Sequence, residues 1–584
     1  MTGRLNQAVE ANRQTATVSL PRRPSLLNRG TFWGLLFGGL VLWSIGQAGL
    51  AGGEVVNPGG WPLVLQFFRA AVRPDLNPAF LAVVLKATLV TLAYAVCGVA
   101  LSTGLGFVGG ILASEVWWQA FLPANRQKHR LDYRVPWLVV RAGMALPRAI
   151  HEIIWGLFFV NILGLVPLTA LLAIAIPFGA ITAKVFSEIL DETPRRPLEA
   201  LLNSGASPLT AFIYGLLPPA FPNLLSYTFY RFECSIRAAA VLGIIGAGGL
   251  GYEILLSLQS LRYEQMWTLF FALFLLNGLA DMWSGALRRR LGSANRIELN
   301  QPSRLFSRSL HGGQDWVVKG SLGGAVGLLA FSFWYLRPNF TRLAEPRTVQ
   351  LLSDAVQASF PPRITAGEMG LLMGLSAQTL AMSVLAMVFA GSSGILLAFP
   401  AARGFLLPDG SHRGRLWWGT GIWFLTRTGL LVARSIPAPI WALILLYILF
   451  PGLLPGAVAL GVYTLGILGR LMAEMVENLD KRPLLALQVQ GAPAGQSFLY
   501  GVLPRTLPGF TAYILYRWEV CIRATVMVGL VGAGGLGRLL TEQLSSFDHP
   551  GMMTTLTFYL ALTLLVDLVS TSVRRELRGR ESKA

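Results

Sequence analysis

Apolar residues run along this chain in blocks of about 20 or more, the length a helix needs to cross the hydrocarbon of a bilayer. The blocks lie at roughly 31–50, 80–112, 136–163, 165–186, 222–247 and 266–287, and again at 317–336, 370–400, 417–450, 452–473, 509–533 and 552–573. This pattern predicts an all-α polytopic membrane protein of about twelve spans, six in each half. Residues 1–30 are polar and basic (Arg4, Arg13, Arg22, Arg23, Arg29), and the apolar run behind them is too long for the core of a cleaved signal. The expectation is a cytoplasmic tail followed by a signal-anchor. Residues 288–316, rich in Arg, Ser, Asn and Gln, read as a cytoplasmic linker between two units at 31–287 and 317–573, and 574–584 as a second tail.

Composition narrows the class. Of 584 residues 53% are hydrophobic and 13% charged, where soluble domains carry about 25% charged. Mean hydropathy is +0.55. A soluble enzyme lacks support here. The net charge of +19 raises nucleic acid, but that needs one basic patch interleaved with aromatics. The basic residues follow alternate loops instead. With the N-terminus in the cytoplasm, about 30 Lys/Arg fall on the cytoplasmic side and about 8 on the other. The clusters Arg126-Lys128-Arg130-Arg134, Arg288-Arg289-Arg290 and Arg574-Arg575 all fall inside. The charge therefore reports orientation in a bilayer, with both termini cytoplasmic, and no nucleic acid is expected.

A second pattern is a duplication at an offset of 286 residues. Arg196-Pro197-Leu198 recurs as Arg482-Pro483-Leu484, and Tyr230-Arg231-Phe232-Glu233 as Tyr516-Arg517-Trp518-Glu519. Ile236-Arg237-Ala238 recurs as Ile522-Arg523-Ala524, and the run Gly246 to Gly251 as Gly532 to Gly537. Both units have an even number of spans, so they share one orientation and form a parallel repeat with a pathway expected between them.

Three elements carry chemistry. The polar loop between spans four and five holds Glu199, Ala200, Gly205 and Pro218, with Ala486, Gly491 and Pro504 at the corresponding places. Each copy reads as a short helix stopped by glycine and followed by a proline-bounded turn. Next, Tyr-Arg-x-Glu-x-x-x-Arg places Arg231, Glu233 and Arg237, and Arg517, Glu519 and Arg523, inside spans, where ionisable groups are paired or face water. Glu233 and Arg237 have the spacing of a helical ion pair, with the acid N-terminal. Arg231 and Arg517 either pair with Glu188 and Glu474, which also repeat, or line a cationic route for an oxyanion, which the planar guanidinium suits. Arg148 and Arg434 are a further repeated pair. Last, Gly246, Gly248, Gly249 and Gly251, with Gly532, Gly534, Gly535 and Gly537, match G-x-G-x-x-G literally but lack the strand–turn–helix setting of a dinucleotide site. They are expected to serve tight backbone packing or an unwound mouth at the non-cytoplasmic end.

Metal chemistry finds no support. Cys97, Cys234 and Cys521 are isolated in apolar stretches and read as small buried hydrophobes. His151-Glu152 opens like HExxH, but Trp155 occupies the second histidine position.

The loop with Glu199-Ala200, Gly205 and Leu217-Pro218 resembles the EAA loop of importer-type ABC transporter permeases, although Leu201 replaces the second alanine and Leu485 replaces the glutamate in the second copy. Together with Tyr-Arg-x-Glu-x-x-x-Arg-Ala and Gly-Ala-Gly-Gly-Leu-Gly, the chain resembles the phosphonate permease family of those importers, over about 136–290 and 417–575. The resemblance implies the type I importer permease fold and a channel-forming inner-membrane subunit for phosphonate, phosphite or a related phosphorus oxyanion. It implies coupling through the two loops to two copies of a cytoplasmic ATPase, which would bind ATP and Mg, and a periplasmic or lipid-anchored substrate-binding protein. It departs from the family in its covalent fusion, since the usual permease is a six-span homodimer. It also departs in pairing His151-Glu152 with Pro437-Ala438, so the path need not be symmetric. No lysine follows a glycine, so no G-K-[ST] phosphate loop exists and no cofactor is expected in this chain. The alternatives are an importer permease for methionine, phosphate or another oxyanion, a twelve-span secondary transporter, and a membrane-embedded enzyme.

Overall fold

A computed structural model describes residues 29–49, 56–121, 134–290, 316–359, 361–362, 366–403, 413–480 and 482–581. Most of the first tail, the interior of the 288–316 linker, and Arg126, Lys128 and Arg130 lie outside the described residues.

The described residues are helical, and the two halves present the same ten principal helices in the same order. The first half runs α1 (Arg29–Gln47), α2 (Trp61–Ala70), α3 (Pro78–Ala113), α4 (Arg134–Ala149), α5 (Glu152–Leu163), α6 (Pro167–Glu192), α7 (Arg196–Asn203), α8 (Leu217–Leu242), α9 (Leu250–Gln259) and α10 (Tyr263–Arg290). The second runs α11 (Trp316–Leu336), α12 (Pro346–Ser359), α13 (Ala366–Ala401), α14 (Arg413–Ser435), α15 (Ala438–Leu445), α16 (Leu453–Glu477), α17 (Arg482–Val489), α18 (Leu503–Gly529), α19 (Gly535–Ser545) and α20 (His549–Glu581).

Seven of these helices are long and apolar enough to cross a membrane. Three further spans are helix pairs broken by a bend: α4 with α5 at 84°, the helix through α8 with α9 at 56°, and α14 with α15 at 96°. The long third spans expected at 136–163 and 417–450, whose straightness the sequence leaves open, are broken ones. Pro147 lies in the last turn of α4 and Pro437 caps α15, and proline removes the helical hydrogen bonds that would carry the chain straight on. Two of the twelve expected spans fall short of the criterion: α1 is short, and α18 carries Arg517, Glu519 and Arg523.

The main contacts run between α3 and α6 and between α13 and α16. Gly106 allows the first close approach, since a Cβ there would sit 2.5 Å from Thr182 Cγ2. Small residues at such contacts let backbones come together where lipid offers no hydrophobic drive. The first helix of each half crosses to the other. α1 packs on α13, with Trp33 Nε1 donating to Glu576 at 3.2 Å and Phe37 edge-on to Trp518. α11 packs on α3, where Leu328, Leu329 and Phe333 close the first-half core. The broken spans cross too: Ile436, Ile440 and Ile444 enter the first-half core, and Ile153 enters the second. The halves are interlocked rather than adjacent.

Candidate functional site

The breaks between α4 and α5 and between α14 and α15 each end a helix inside the protein; at the first the Arg148 carbonyl accepts from Arg523 of the other half, and at the second the Ala433 carbonyl accepts from Trp441. Arg148 and Arg434 stand in the last turns of α4 and α14, where a cation is favoured by the helix dipole. The carboxylates come from the opposite half, on α8 and α10 or on α18 and α20.

On the first side this arrangement is joined by ion pairs across the interface. Arg434 Nη1 donates to Glu233 Oε1 at 3.2 Å and Nη2 to Asp281 Oδ2 at 3.1 Å. Asp281 also accepts from Arg470 Nη1 at 2.8 Å, and Arg470 Nε donates to Glu474 at 2.8 Å. Arg237 lies 3.7 Å from Glu233, completing the expected i, i+4 pair. Glu233 and Arg434 are 6% and 9% exposed, so each group would be strongly destabilised without its partner.

On the second side the same residue types meet differently. Glu519 accepts from Arg574, and Arg523 turns its Nε to the Glu519 carbonyl and its Nη1 to the Arg148 carbonyl at 3.1 Å. Among the described residues, no ion pair within 4 Å involves Arg148, Lys184, Glu188 or Asp567.

Among the described residues Arg231 makes no ion pair with Glu188 and Arg517 none with Glu474, which is taken by Arg470. Arg231 is 7% exposed, with its guanidinium 3.8 Å over the Phe178 ring; among the described residues its Nε and Nη2 have no hydrogen-bond partner, and neither has the buried Arg517 Nε. A stacked arginine keeps its edge available to an oxyanion.

The glycine runs form left-handed turns that fold α9 against α8 and α19 against α18. Gly246, Gly248 and Gly249 have φ of 96°, 87° and 78°, and Gly532, Gly534 and Gly535 have 93°, 83° and 72°. A Cβ on Gly251 would meet Ala240 O at 1.8 Å, and one on Gly537 would meet Val526 Cα at 2.7 Å. The freed N–H of Leu250 is held by Thr91 Oγ1 at 2.8 Å, and that of Leu536 by Thr379 Oγ1 at 2.9 Å. Of the two expectations, close packing accounts for Gly251 and Gly537, and a threonine rather than an anion meets each first N–H.

The two polar loops are exposed. Glu199, Ala200, Gly205 and Pro218 lie at the surface, as do Ala486, Gly491 and Pro504. Gly205 and Gly491 end α7 and α17 with φ of 87° and 83°, as the helix-stop reading requires. Around them Ile213, Tyr214, Leu499 and Tyr500 present apolar surface. Among the other motifs, His151 Nδ1 caps α5 by accepting from Ile153 N, a structural use. Cys97 and Cys521 are buried free thiols and Cys234 is half-buried.

Sequence reasoning missed Asp281, Arg470, Lys184 and Asp567. Their signal was available: each is an ionisable residue inside an apolar block, and the pairs Asp281/Asp567 and Lys184/Arg470 obey the same offset of 286.

Known proteins bear on these features. The family described as "Binding-protein-dependent transport system inner membrane component" matches residues 120–293 and 417–579. Phosphate-import permease protein PhnE of Mycolicibacterium smegmatis is 27% identical over 436 residues, covering 73% of this chain and 76% of that protein. Phosphite transport system permease protein PtxC of Stutzerimonas stutzeri is 33% identical over 200 residues, 34% of this chain and 69% of that protein. A solved chain of the MetNI methionine ABC transporter in inward-facing conformations is 21% identical, with a TM-score of 0.32, covering 37% of this chain and 99% of that chain.

Proposed function

The chain belongs to the family of binding-protein-dependent transport system inner membrane components, through both of its halves, and from that premise we propose that it forms the translocation path of an ABC importer for phosphonate, phosphite, phosphate or a related phosphorus oxyanion. Relatives named for phosphate and phosphite transport support that substrate class. The observation that carries the reading at the level of residues is Arg231, buried in the span motif with two guanidinium nitrogens unpartnered among the described residues. Arg517, Arg237, Arg523, Arg148 and Arg434 gather in the same spans and at the breaks beside them, with Glu233 and Glu519 as their counter-charges.

One fused chain takes the place of a permease homodimer in the bacterial cytoplasmic membrane, with both termini inside. The loops at α7 and α17 dock onto two copies of a cytoplasmic ATPase, which supplies the ATP and Mg site that this chain lacks. A periplasmic or lipid-anchored binding protein delivers the substrate. ATP-driven closure of the ATPases rocks one half against the other, giving alternating access.

The test is uptake into proteoliposomes containing the chain, its ATPase and its binding protein, with methylphosphonate, phosphite, phosphate and methionine as competitors. Phosphorus oxyanions should compete and methionine should not. Arg231→Ala or Arg517→Ala should lower uptake at least about tenfold, the worth of one charge-assisted hydrogen bond, while the ATPase still co-purifies. Gly205→Trp or Gly491→Trp should instead uncouple hydrolysis. Normal uptake by both arginine variants would remove them from the path.

A further inference from the structure

The charged residues at the interface form two sets of six that correspond one for one at the offset of 286: Glu233, Arg237 and Asp281 with Arg434, Arg470 and Glu474, against Glu519, Arg523 and Asp567 with Arg148, Lys184 and Glu188. They are wired differently. In the first set Glu233 takes its partner from across the interface, and Asp281 holds two arginines of the other half. In the second, Glu519 takes Arg574 from its own half. Arg148, standing where Arg434 stands, makes no ion pair among the described residues and meets Arg523 of the other half through its backbone carbonyl.

Helix packing differs in the same sense. α14 packs on α10, whereas the corresponding α4 and α20 do not pack to the same extent. Nevertheless Arg148 stands close to the Glu519 turn, because Arg523 bonds the Glu519 carbonyl with Nε and the Arg148 carbonyl with Nη1. Among the described residues, the second set is joined across the interface by the Arg523–Arg148 carbonyl hydrogen bond but by no ion pair. A buried carboxylate is stabilised by a cation beside it, and Glu519 has Arg574 and Arg523 from its own half, with Arg148 of the other half joined to Arg523 through its carbonyl.

We propose that the two sets are a charge lock between the halves, engaged on the first side and disengaged on the second, and that Glu519 exchanges Arg574 for Arg148 when the second side engages. Asp567, Lys184 and Arg148 are then positioning residues that draw α4 toward α20. The first side acts as the hinge and the second as the moving edge, so the path opens and closes unequally about its axis. The transport role of this motion rests on the permease reading; the lock itself is a property of the chain.

Two arms test it on the full-length chain. In the first, thermal unfolding in detergent without nucleotide, Asp281→Asn should lower the midpoint and Asp567→Asn should leave it unchanged; equal losses would overturn the asymmetry. In the second, with the ATPase and binding protein in proteoliposomes, Arg148→Asp and Asp567→Arg should each cut uptake at least about tenfold, as breaking a desolvated pair does. The double reversal Arg148→Asp/Asp567→Arg should recover most of it. Arg574→Gln, which frees Glu519 to take Arg148, should raise ATP hydrolysis in the absence of substrate. Arg574→Gln hydrolysis equal to wild type would overturn the exchange, and a double reversal no better than its singles would overturn the approach of Arg148 to Asp567 when the second side engages. If the permease reading were at fault, wild-type chain would import no oxyanion while the detergent arm still read the lock.

Discussion

The two sides of the interface are built from one inherited set of residues and end in different states. On the first, Arg434 reaches across to Glu233 and Asp281 from the last turn of α14. On the second, Arg148 occupies the same place on α4 and finds no carboxylate within 4 Å among the described residues, while Glu519 is held by Arg574. Repetition of residue types therefore does not dictate repetition of contacts. The difference in contacts goes with how closely the opposing helices approach: α14 is seated on α10 where α4 is not seated on α20 to the same extent. A homodimer could not fix this difference by sequence. A fused chain can, and Lys184 against Arg470, or His151-Glu152 against Pro437-Ala438, show that the halves have diverged at the interface.

The largest contrast should come from removing the two arginines. Arg434→Ala leaves Glu233 and Asp281 short of a partner inside the membrane, a loss on the order of 3–5 kcal/mol. Arg148→Ala removes no ion pair within 4 Å and should cost less than about 1 kcal/mol. Thermal unfolding of the two variants in detergent measures the gap; equal losses would erase the distinction between the sides.

The glycine turns sharpen the comparison by degree. Gly251→Ala drives a methyl into the Ala240 carbonyl, whereas Gly537→Ala presses on Val526 Cα from 2.7 Å. Both should destabilise by about 1–3 kcal/mol, with Gly251→Ala the worse, as read from the unfolding midpoint. The threonines below them mark where the halves still agree. Thr91→Val and Thr379→Val each orphan one N–H, of Leu250 or Leu536, and each should cost about 1 kcal/mol. Unequal costs there would show that the asymmetry extends beyond the charge sets. Smallest is Glu199→Leu, which gives the first exposed loop the residue the second has at Leu485. Stability should stay within about 0.5 kcal/mol.

The sequence made the helical class, the duplication and the exposed loops legible, because apolar block length and a fixed offset survive in a linear reading. Glu233–Arg237 was legible for the same reason, being a local pair on one helix. Three things were not. The bends at Ala149–Glu152 and Ser435–Ala438 stay within apolar stretches, so hydropathy runs through Pro147 and Pro437 without a break. The crossing of α1 to α13 and α11 to α3 depends on contacts between distant segments, such as Trp33 with Glu576, 543 residues apart. Asp281 and Asp567 were passed over because each is a lone acid in a span, and its meaning comes only from the arginines that the other half places beside it.

The central claim is that one fused chain forms an ATP-driven import path for a phosphorus oxyanion. It is tested most directly by measuring uptake of labelled phosphonate, phosphite and phosphate into proteoliposomes holding the chain, its binding protein, and its ATPase in active or hydrolysis-deficient form. The account predicts uptake of at least one of these anions with the active ATPase and none with the deficient one. Uptake that persists when hydrolysis is abolished would contradict it and would make the chain a gradient-driven carrier.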